Sequence, residues 1–393
     1  MAKLRYIDLF AGCGGLSLGF YFAGLKGIFA IEKDKMAFET LKTNLIDKRD
    51  HFEWPTWLPM KEQDINFVIK KYKNNLVSLR DKVDIIAGGP PCQGFSFAGR
   101  RQKNDSRNEL INSYLKFVCL VRPRIIFLEN VRGFTVGFKD GKRRDEAKSS
   151  YVVKRLNKLG YNVSTKLIDF SDFGVPQRRV RFILFGSLDG DPNKFFLNLY
   201  SKRKEFIKRN NIKNINTVQD AISDLLAANG FRTGTGTFKY GVYSRATSSY
   251  QKLMRKNSQN NYPDSHRFAR HSKKVIENFK YMLNHSNKNK AVDMGIRNRL
   301  GLKKRSIIPL ASIMPAPTIT TLPDDYIHYS EPRILSVREC ARIQSFPDWF
   351  EFKGKYTTGG KMRRQEVPRY TQVGNAIPPL FAECVGIILQ SEF

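Results

Sequence analysis

The 393-residue chain has few cysteines, few acidic residues and no long hydrophobic run. Its five cysteines are scattered and form no C-x-x-C pair, which argues against a disulfide framework and against a zinc ribbon. No apolar run reaches the ~18 residues that a membrane span needs, and Asp8 interrupts the apolar segment that a signal peptide would require. We therefore expect an intracellular protein with reduced thiols and no membrane partner.

Acidic residues are outnumbered by basic ones, with 68 Lys and Arg against 36 Asp and Glu and a formal net charge of +32. The excess is concentrated between residues 201 and 310, which contain 24 Lys and Arg but 6 Asp and Glu. A charge this one-sided indicates a polyanionic partner, of which nucleic acid is the commonest. A purely solubilising surface charge is the alternative.

Strand and helix patterns alternate over the first 190 residues. Buried strands are predicted at 4–10, 27–32, 83–87, 124–128 and 180–185, with helices at 34–45, 110–121 and 151–159 among the connections. This alternation predicts an α/β fold with a mainly parallel, Rossmann-like sheet covered by helices on both faces. From about residue 190 to 310 the chain is polar and predicted to be less regular, with a loop at 232–237. Helical patterns resume at 336–345 and 379–389.

The turn after the first strand has the character of a nucleotide-binding site. Gly12 and Gly14 precede a helix, whose free N–H groups suit a polar ligand. Glu32 ends the second strand 20 residues after Gly12, the spacing at which an acid meets ribose hydroxyls. Ser17 replaces the third glycine of the G-x-G-x-x-G fingerprint. The pattern indicates an adenosine-containing cofactor, and a tight turn without a ligand is the alternative.

Two further candidates follow predicted strands, where open α/β sheets bind ligands. Cys92 follows two prolines and precedes a basic stretch at 100–107, whose cations would lower the pKa of the thiol and make it more reactive. An inert, buried cysteine is the alternative. Glu129 follows the strand at 124–128, where burial would raise the pKa of its carboxyl group and suit it to proton donation. A helix cap or an ion pair is the alternative there.

Arginines and histidines provide the remaining candidates. Arg179 and Arg181 are predicted to share one face of an incoming strand, where they would hold a carbonyl or phosphate oxygen; a solvated strand edge is equally compatible with this pattern. The five histidines have no metal-ligand spacing, so we expect no metal site and interpret them as polar surface or DNA-facing residues. They are His51, His266, His271, His285 and His328.

Six motifs together resemble the DNA (cytosine-5) methyltransferases, and they occur in the order typical of that family. They are DLFAGCGG at 8–15, PPCQGFS at 90–96, ENV at 129–131, QRRVR at 177–181, RECARIQSFP at 338–347 and QVGNAIP at 372–378. The resemblance covers nearly the whole chain except about residues 190–310, where the family has its variable target-recognition region. It implies a catalytic, AdoMet-binding domain at 1–188, a target-recognition domain at 189–325 and a return segment at 326–393 that completes the catalytic domain.

The resemblance also implies a role for each matched residue. Cys92 corresponds to the nucleophile that adds to C6 of a flipped-out cytosine, and Glu129 to the acid that engages N3 and the exocyclic amine. Arg179 and Arg181 match basic residues near the base O2 and the catalytic loop. The methyl donor is S-adenosylmethionine (AdoMet). The residues that match the family's cofactor positions are Phe10, Ala11, Gly12, Cys13, Gly14, Leu16, Glu32, Lys33, Asp64, Ile65, Pro90, Leu110 and Asn375.

Within that set, Phe10 through Leu16 would surround the methionine part of AdoMet, with Asn375 near the same end. Glu32 would bind the ribose, while Asp64 and Ile65 would lie at the adenine. Pro90 and Leu110 would line the pocket. Lys33 stands where many relatives have an aromatic residue.

Double-stranded DNA is the expected partner, bound by a monomer in the bacterial cytoplasm near the nucleoid, with a cognate restriction endonuclease acting separately. The loop at 97–107 is expected to close on the DNA from one groove while residues 190–310 read bases from the other. A tRNA cytosine-5 methyltransferase of the same family is the nearest alternative, but its Cys-Phe-Thr motif is missing. Ser17 and Cys92 argue against an NAD- or FAD-dependent oxidoreductase, and the complete set of motifs argues against a DNA-binding protein without catalysis.

Overall fold

A computed structural model describes residues 3–91, 109–136, 139–140, 143–144, 146–234, 237–259, 262–359, 362 and 365–392. The chain forms two compact units. The first consists of Met1–Asp169, Val180–Arg203 and Ala382–Phe393, and the second of Phe170–Arg179 and Lys204–Phe381. Cys92 and the loop predicted to close on DNA, 97–107, lie outside the described residues.

The first unit is built on a six-stranded sheet. The strands of the chain are β1 (Arg5–Leu9), β2 (Lys26–Ile31), β3 (Ile85–Gly88), β4 (Ile125–Val131), β5 (Lys139–Asp140), β6 (Arg143–Arg144), β7 (Asn162–Asp169), β8 (Val180–Ser187), β9 (Phe231–Thr233), β10 (Lys239–Gly241), β11 (Ile308–Pro309) and β12 (Tyr326–Ile327). The sheet has the order β2-β1-β3-β4-β8-β7. Strands β1 to β4 pair in parallel, whereas β8 is antiparallel to both of its neighbours. The prediction of a mainly parallel α/β sheet is confirmed.

Hydrophobic runs explain why the central strands form. In β3 the residues Ile85 to Ala87 are fully buried, as are Ile125 to Leu128 in β4. Successive side chains of a strand point to opposite faces, so both faces of the sheet are covered at these positions.

The helices of the chain are α1 (Gly15–Phe22), α2 (Lys35–Leu41), α3 (Ile65–Lys71), α4 (Lys73–Val77), α5 (Leu110–Val121), α6 (Lys148–Lys158), α7 (Pro192–Ser201), α8 (Arg203–Arg209), α9 (Val218–Ile222), α10 (Ser249–Arg255), α11 (Lys273–His285), α12 (Met294–Arg299), α13 (Val337–Ile343), α14 (Arg369–Asn375) and α15 (Pro379–Glu392).

The region from 190 to 310 is more regular than its composition predicts, since it contains helices α7 to α12. Part of the Gly/Thr stretch predicted as a loop is strand β9, which pairs antiparallel with β10. Strand β7 was not predicted from hydrophobic patterning, because it lies at the edge of the sheet and half of its residues are exposed. Within the described residues, no single helix is long and apolar enough to cross a membrane, although the bent pair α14 and α15 passes together on length and composition alone.

The second unit contains a buried network of ion pairs centred on α13. Arg342 is fully buried, and its guanidinium contacts the carboxylates of Asp348 at 2.5 Å and Asp224 at 3.1 Å. Arg333 forms two hydrogen bonds of 2.7 Å to Glu339. Three charged residues of the RECARIQSFP motif therefore face inward, and their role in this unit is structural. They are Arg338, Glu339 and Arg342.

Candidate active site

The ends of β1 and β3 approach each other closely at the edge of the sheet where the site residues lie. Leu9 is paired with Gly88 in the register of these strands. A Cβ atom at Gly88 would lie 2.3 Å from the carbonyl oxygen of Leu9, so a side chain is excluded there. The close approach brings the glycine-rich turn that follows β1 next to the chain segment that leads to Cys92.

The glycine-rich turn depends on left-handed backbone conformations. Phe10 has a φ of 59°, Gly12 of 56° and Gly14 of 91°, and Gly14 is the N-cap of α1. A Cβ at Gly12 would meet no atom within 4 Å, so the turn faces open space at this point. Three further residues of the predicted cofactor set in this turn have buried side chains: Ala11, Cys13 and Leu16. Any contact that they make with a ligand would come from their backbone.

Glu32, at the end of β2, meets the glycine-rich turn. Its Oε2 accepts a hydrogen bond from the Gly12 N–H at 2.9 Å, and its Oε1 accepts one from the Asp34 N–H at 2.7 Å. Burial raises the pKa of Glu32, whereas these two hydrogen bonds act to lower it. The acid and the glycine, 20 residues apart in sequence, are thus in direct contact.

Asp64 and Lys33 lie beside Glu32. The Gln63 N–H donates to the carbonyl oxygen of Glu32 at 2.7 Å, which fixes the next residue, Asp64, near the end of β2. Lys33 Nζ is 3.2 Å from Asp64 Oδ2, and Asp64 Oδ1 caps helix α3. The neighbouring Ile65 is buried at the first position of that helix.

Leu110 begins helix α5 and is partly buried against the core of the first unit. In the same helix, Ser113 Oγ donates to Asn66 Oδ1 at 2.6 Å. Since Asn66 lies in α3, this bond ties α5 to the helix that Asp64 caps. The structure therefore brings together most of the cofactor positions inferred from the motifs, from Phe10 to Leu110.

Glu129 and Arg181 form an ion pair at the end of β4. Glu129 is opposite Ile183 and Val131 is opposite Arg181 in the β4–β8 register, so the two charged side chains are diagonal neighbours on one face of the sheet. Arg181 Nε is 3.1 Å from Glu129 Oε1, and each side chain is 12% exposed. Burial lowers the pKa of Arg181, and the charge of Glu129 opposes this effect. Glu129 Oε2 lies on the side of Gly89, where a Cβ would be 3.1 Å away.

Asn130 is a residue of the site to which we assigned no role from the sequence. Its Nδ2 donates to the buried carbonyl oxygen of Pro90 at 2.9 Å, and its Oδ1 accepts from the Val131 N–H. Asn130 thereby fastens the end of β4 to the segment just before Cys92. The signal for this role was its place in the ENV motif.

Arg179 and Asn375 belong to the second unit. The expectation that Arg179 and Arg181 share one strand is wrong, because β8 begins one residue after Arg179. Arg179 is buried and donates to the carbonyl oxygens of Ile319 at 3.1 Å and Gly374 at 2.9 Å. Gly374 precedes Asn375, so Arg179 holds the QVGNAIP segment of this unit, while Asn375 itself is exposed.

The interpretation of the histidines as surface or DNA-facing residues is wrong for His51, His266 and His328, which are buried. His266 Nε2 donates to the carbonyl oxygen of Leu225 at 2.8 Å, and its Nδ1 accepts from Ser336 Oγ at 2.7 Å. Burial lowers the pKa of His266 to about 4, so the neutral ring makes both bonds. Among the described residues, no group of three or more His, Cys, Asp or Glu is arranged to hold a metal ion.

Asp8 and Ser17 form a buried hydrogen bond beneath the glycine-rich turn. Ser17 Oγ donates to Asp8 Oδ2 at 2.6 Å, and both residues are at most 1% exposed. Burial raises the pKa of Asp8 from 3.8 to about 7; the Ser17 hydrogen bond opposes the rise, and the nearby carboxylate of Glu32 adds to it. Ser17, which replaces the third glycine of the dinucleotide fingerprint, thus supports the turn from inside.

Replacing Asp8 by asparagine should change how stability depends on pH. Between pH 4 and 7 the carboxyl group of Asp8 is ionised in the unfolded chain but protonated in the folded one, so it lowers the free energy of unfolding by up to ~1.4 kcal/mol per pH unit as pH rises. Asp8→Asn removes this loss, so the variant should gain stability relative to the parent from pH 4 to 7. Urea unfolding at several pH values measures the difference. Asp81→Asn, at an exposed position, controls for the loss of one carboxylate; a difference for Asp8→Asn that does not vary with pH would contradict the prediction.

The fold and the site together define a class: α/β enzymes with a Rossmann-like sheet that bind a nucleotide-type cofactor at the ends of the first two strands. The family model described as C-5 cytosine-specific DNA methylase matches residues 4–390. The chain therefore belongs to the C-5 cytosine-specific DNA methylases. The family and the activity expected from the six motifs are confirmed, and the oxidoreductase alternative is excluded. Members of this family act on DNA and use AdoMet as methyl donor.

Curated relatives align along nearly the full length of the chain. It is 33% identical over 394 residues to the type II methyltransferase M.DdeI of Desulfomicrobium norvegicum, an alignment that covers 98% of this chain and 88% of that protein. It is 31% identical over 388 residues to the type II methyltransferase M1.HphI of Haemophilus parahaemolyticus, with 98% and 86% covered.

Solved structures share the fold. A protein described as a DNA modification methyltransferase encoded within an E. coli prophage superposes with a TM-score of 0.66 at 23% identity, covering 99% of each chain. The Dnmt2 methyltransferase of S. pombe superposes with a TM-score of 0.51 at 14% identity, covering 99% of this chain and 98% of that one. At these identities the likeness concerns the fold alone.

Proposed function

We propose that the protein transfers a methyl group from AdoMet to C5 of a cytosine flipped out of duplex DNA, at a specific sequence, with Cys92 as covalent nucleophile. The observation that carries the proposal is the buried pair of Glu129 and Arg181 at the end of β4, beside Gly89 and the segment that leads to Cys92. An acid held in this way suits the recognition of a cytosine edge.

Several features of the first unit fit AdoMet. The open side of Gly12, the carboxylate of Glu32 and the carboxylate of Asp64 lie together at the ends of β1 and β2, where a ribose and an adenine would be bound. We propose that Glu32 binds the ribose hydroxyls and that Phe10 to Leu16 hold the methionine part, mainly through the backbone. When bound, AdoMet supplies an electrophilic methyl group.

Covalent catalysis solves a problem of reactivity. Carbon 5 of cytosine is a poor nucleophile inside an aromatic ring, and addition of the Cys92 thiolate to C6 moves electron density toward C5 and N3. Once C5 is methylated, loss of its proton restores the C5–C6 double bond and expels the thiolate. Asn130 contributes by fixing the carbonyl oxygen of Pro90, two residues before Cys92.

Glu129 would engage the base during the addition step. In its protonated form the carboxyl group donates to N3, while its second oxygen accepts a hydrogen bond from the exocyclic amine. Arg181 contacts Glu129 Oε1 and so fixes the orientation of the carboxyl group. Both side chains lie on the same face of the sheet. Arg179 would act indirectly, through its hydrogen bonds to the carbonyl oxygens of Ile319 and Gly374.

Duplex DNA must be bound tightly enough to offset base flipping, which costs a few kcal/mol of stacking and pairing. We propose that residues 189–325 recognise the target and that 1–188 and 326–393 form the catalytic domain. The charge excess between 201 and 310 supports the assignment of the recognition region. Of the proposed return segment, Ala382–Phe393 lies in the same compact unit as the sheet, whereas 326–381 belongs to the second unit, which also contains 204–325. We propose that the protein acts as a monomer at the bacterial nucleoid in the cytoplasm, where its DNA substrate lies. Because the curated relatives are type II methyltransferases, we also propose a cognate restriction endonuclease that acts separately.

The test is methyl transfer from labelled AdoMet to duplex DNA and, separately, to tRNA. We expect labelled 5-methylcytosine in the duplex, and bisulfite mapping should find it in one sequence context. The label in tRNA should not exceed the background. Equal transfer to tRNA, or methylation of cytosines regardless of sequence, would overturn the proposal.

A further inference from the structure

Strands β9 and β10 form an exposed two-stranded ribbon in the second unit. The register pairs Arg232 with Tyr240, Thr233 with Lys239 and Phe231 with Gly241. All three residues of β9 are exposed, including Phe231 at 49%. Since neighbouring residues of a strand point to opposite faces, the ribbon is uncovered on both sides along β9.

One face of the ribbon presents an arginine that contacts two aromatic rings. The Arg232 guanidinium lies 5.3 Å from the ring centre of Tyr240, its cross-strand partner, and 4.8 Å from that of Tyr262, which is 48% exposed. No carboxylate among the described residues forms an ion pair with Arg232. The rings therefore restrict the orientation of the guanidinium plane while its charge stays uncompensated.

The opposite face repeats the arrangement with a lysine. Lys239 Nζ lies 4.0 Å from the ring centre of Phe231, its diagonal neighbour. Both side chains are exposed, and in the described part of the chain Lys239 forms no ion pair either. Each face of the ribbon thus carries one cation held against an aromatic ring.

Strand β10 of the ribbon is hydrogen-bonded to a neighbouring segment that contains the buried residue His266. The Gly241 N–H donates to the carbonyl oxygen of His266 at 2.9 Å, and the Phe268 N–H donates to that of Lys239 at 2.9 Å. A Cβ at Gly241 would lie 2.4 Å from the His266 ring, so glycine permits this contact. His266 is in turn held by Ser336 and Leu225, as described above. The ribbon is therefore held along β10, which also has an antiparallel bridge from Tyr240 to Arg267, whereas β9 stays exposed.

Stability does not explain the exposed side chains of the ribbon. The backbone hydrogen bonds between β10 and residues 266–268 hold the ribbon without any contribution from the side chains of β9. Exposed cation–π contacts contribute only about 0.5–1 kcal/mol each. The ribbon instead presents exposed aromatic rings and cations without counterions on a fixed backbone. These groups suit contact with nucleic acid, which is a polyanion with flat bases.

We propose that the β9–β10 ribbon enters a groove of duplex DNA and that Arg232 reads a base edge there, which makes it a determinant of the recognised sequence; this inference rests on the function proposed above. A two-stranded β-ribbon fits the major groove, and a planar guanidinium matches the O6 and N7 acceptors of guanine. A phosphate contact would need charge alone, whereas the two tyrosine rings restrict the orientation of the fork of Arg232.

The experiment replaces Arg232 by lysine, which keeps the charge and removes the planar fork. After the target of the parent has been mapped, kcat/KM is measured on oligonucleotide duplexes that carry every single base-pair change in that target. We expect Arg232→Lys to lose about 5- to 150-fold of discrimination at one base-pair position, with little change in the salt dependence of binding. The control is Arg155→Lys, at an exposed arginine of α6 outside the proposed recognition region, which should discriminate like the parent.

The contrary outcomes are distinct. If Arg232→Lys discriminates like the parent while Arg232→Ala weakens binding of all duplexes equally and reduces the salt slope by about one, Arg232 contacts phosphate and the inference is overturned. A parent protein that methylates no duplex would instead overturn the proposed function, and the inference with it. Thermal unfolding of each variant checks that the exposed substitution leaves the fold intact.

Discussion

Replacing Cys92 by alanine should lower the rate of methyl transfer by a factor on the order of 10⁴ or more. Without the thiolate no bond forms to C6, and C5 stays part of an aromatic ring that does not attack the methyl group. The affinity for AdoMet should remain nearly that of the parent, because the proposed cofactor contacts come from other residues. Single-turnover kinetics with labelled AdoMet measure the rate, and calorimetric titration measures the affinity.

Cys119→Ala is the matched control for this variant, since Cys119 is an exposed cysteine in α5 outside the proposed site. A duplex with 5-fluorocytosine at the target adds a second readout, because fluorine at C5 blocks the loss of the proton that would release the enzyme. The parent and Cys119→Ala should form a covalent adduct that survives denaturation, and Cys92→Ala should form none. An adduct with Cys92→Ala, or turnover at the parent rate, would refute the covalent mechanism.

Replacing Arg342 by methionine should lower the free energy of unfolding by about 3–5 kcal/mol. The substitution leaves the carboxylates of Asp224 and Asp348 without their shared cation, and both are buried. Loss of the hydrogen bond from Arg342 to the carbonyl oxygen of Ala221 adds to the effect. Urea unfolding followed by circular dichroism measures the change.

Arg255→Met provides the control, because Arg255 contacts the same Asp224 carboxylate at 3.5 Å but has a side chain that is 29% exposed. Solvent screens this pair, so its loss should cost about 1 kcal/mol or less. Equal destabilisation by the two variants would show that burial of the Arg342 network is not what sets the energy.

Local patterns predicted those parts of the fold whose causes are near in sequence. The helix predicted at 34–45 begins as α2, which Asp34 caps by accepting the Ala37 N–H, and the apolar periodicity of 110–121 matches helix α5. The central strands were also predictable, because each is a continuous hydrophobic run between polar turns.

Features that depend on distant partners were not predictable. His266 is buried and hydrogen-bonded to Ser336, 70 residues away in sequence, and Arg179 donates to carbonyl groups 140 and 195 residues further along the chain. The charges of the RECARIQSFP motif have the same explanation, since Arg342 meets Asp224 118 residues earlier in the chain. In each case the residue type looks like surface, and only tertiary contacts reveal its burial.

The exposed ribbon has a consequence for how this enzyme evolves. The side chains of β9 add almost nothing to the packed interior. The ribbon is held through the backbone of Gly241, which does not depend on which side chains the other ribbon residues carry. Substitutions there should therefore be nearly neutral for folding. A lineage could acquire a new recognition sequence by drift at a few ribbon positions, while the catalytic sheet stays as it is.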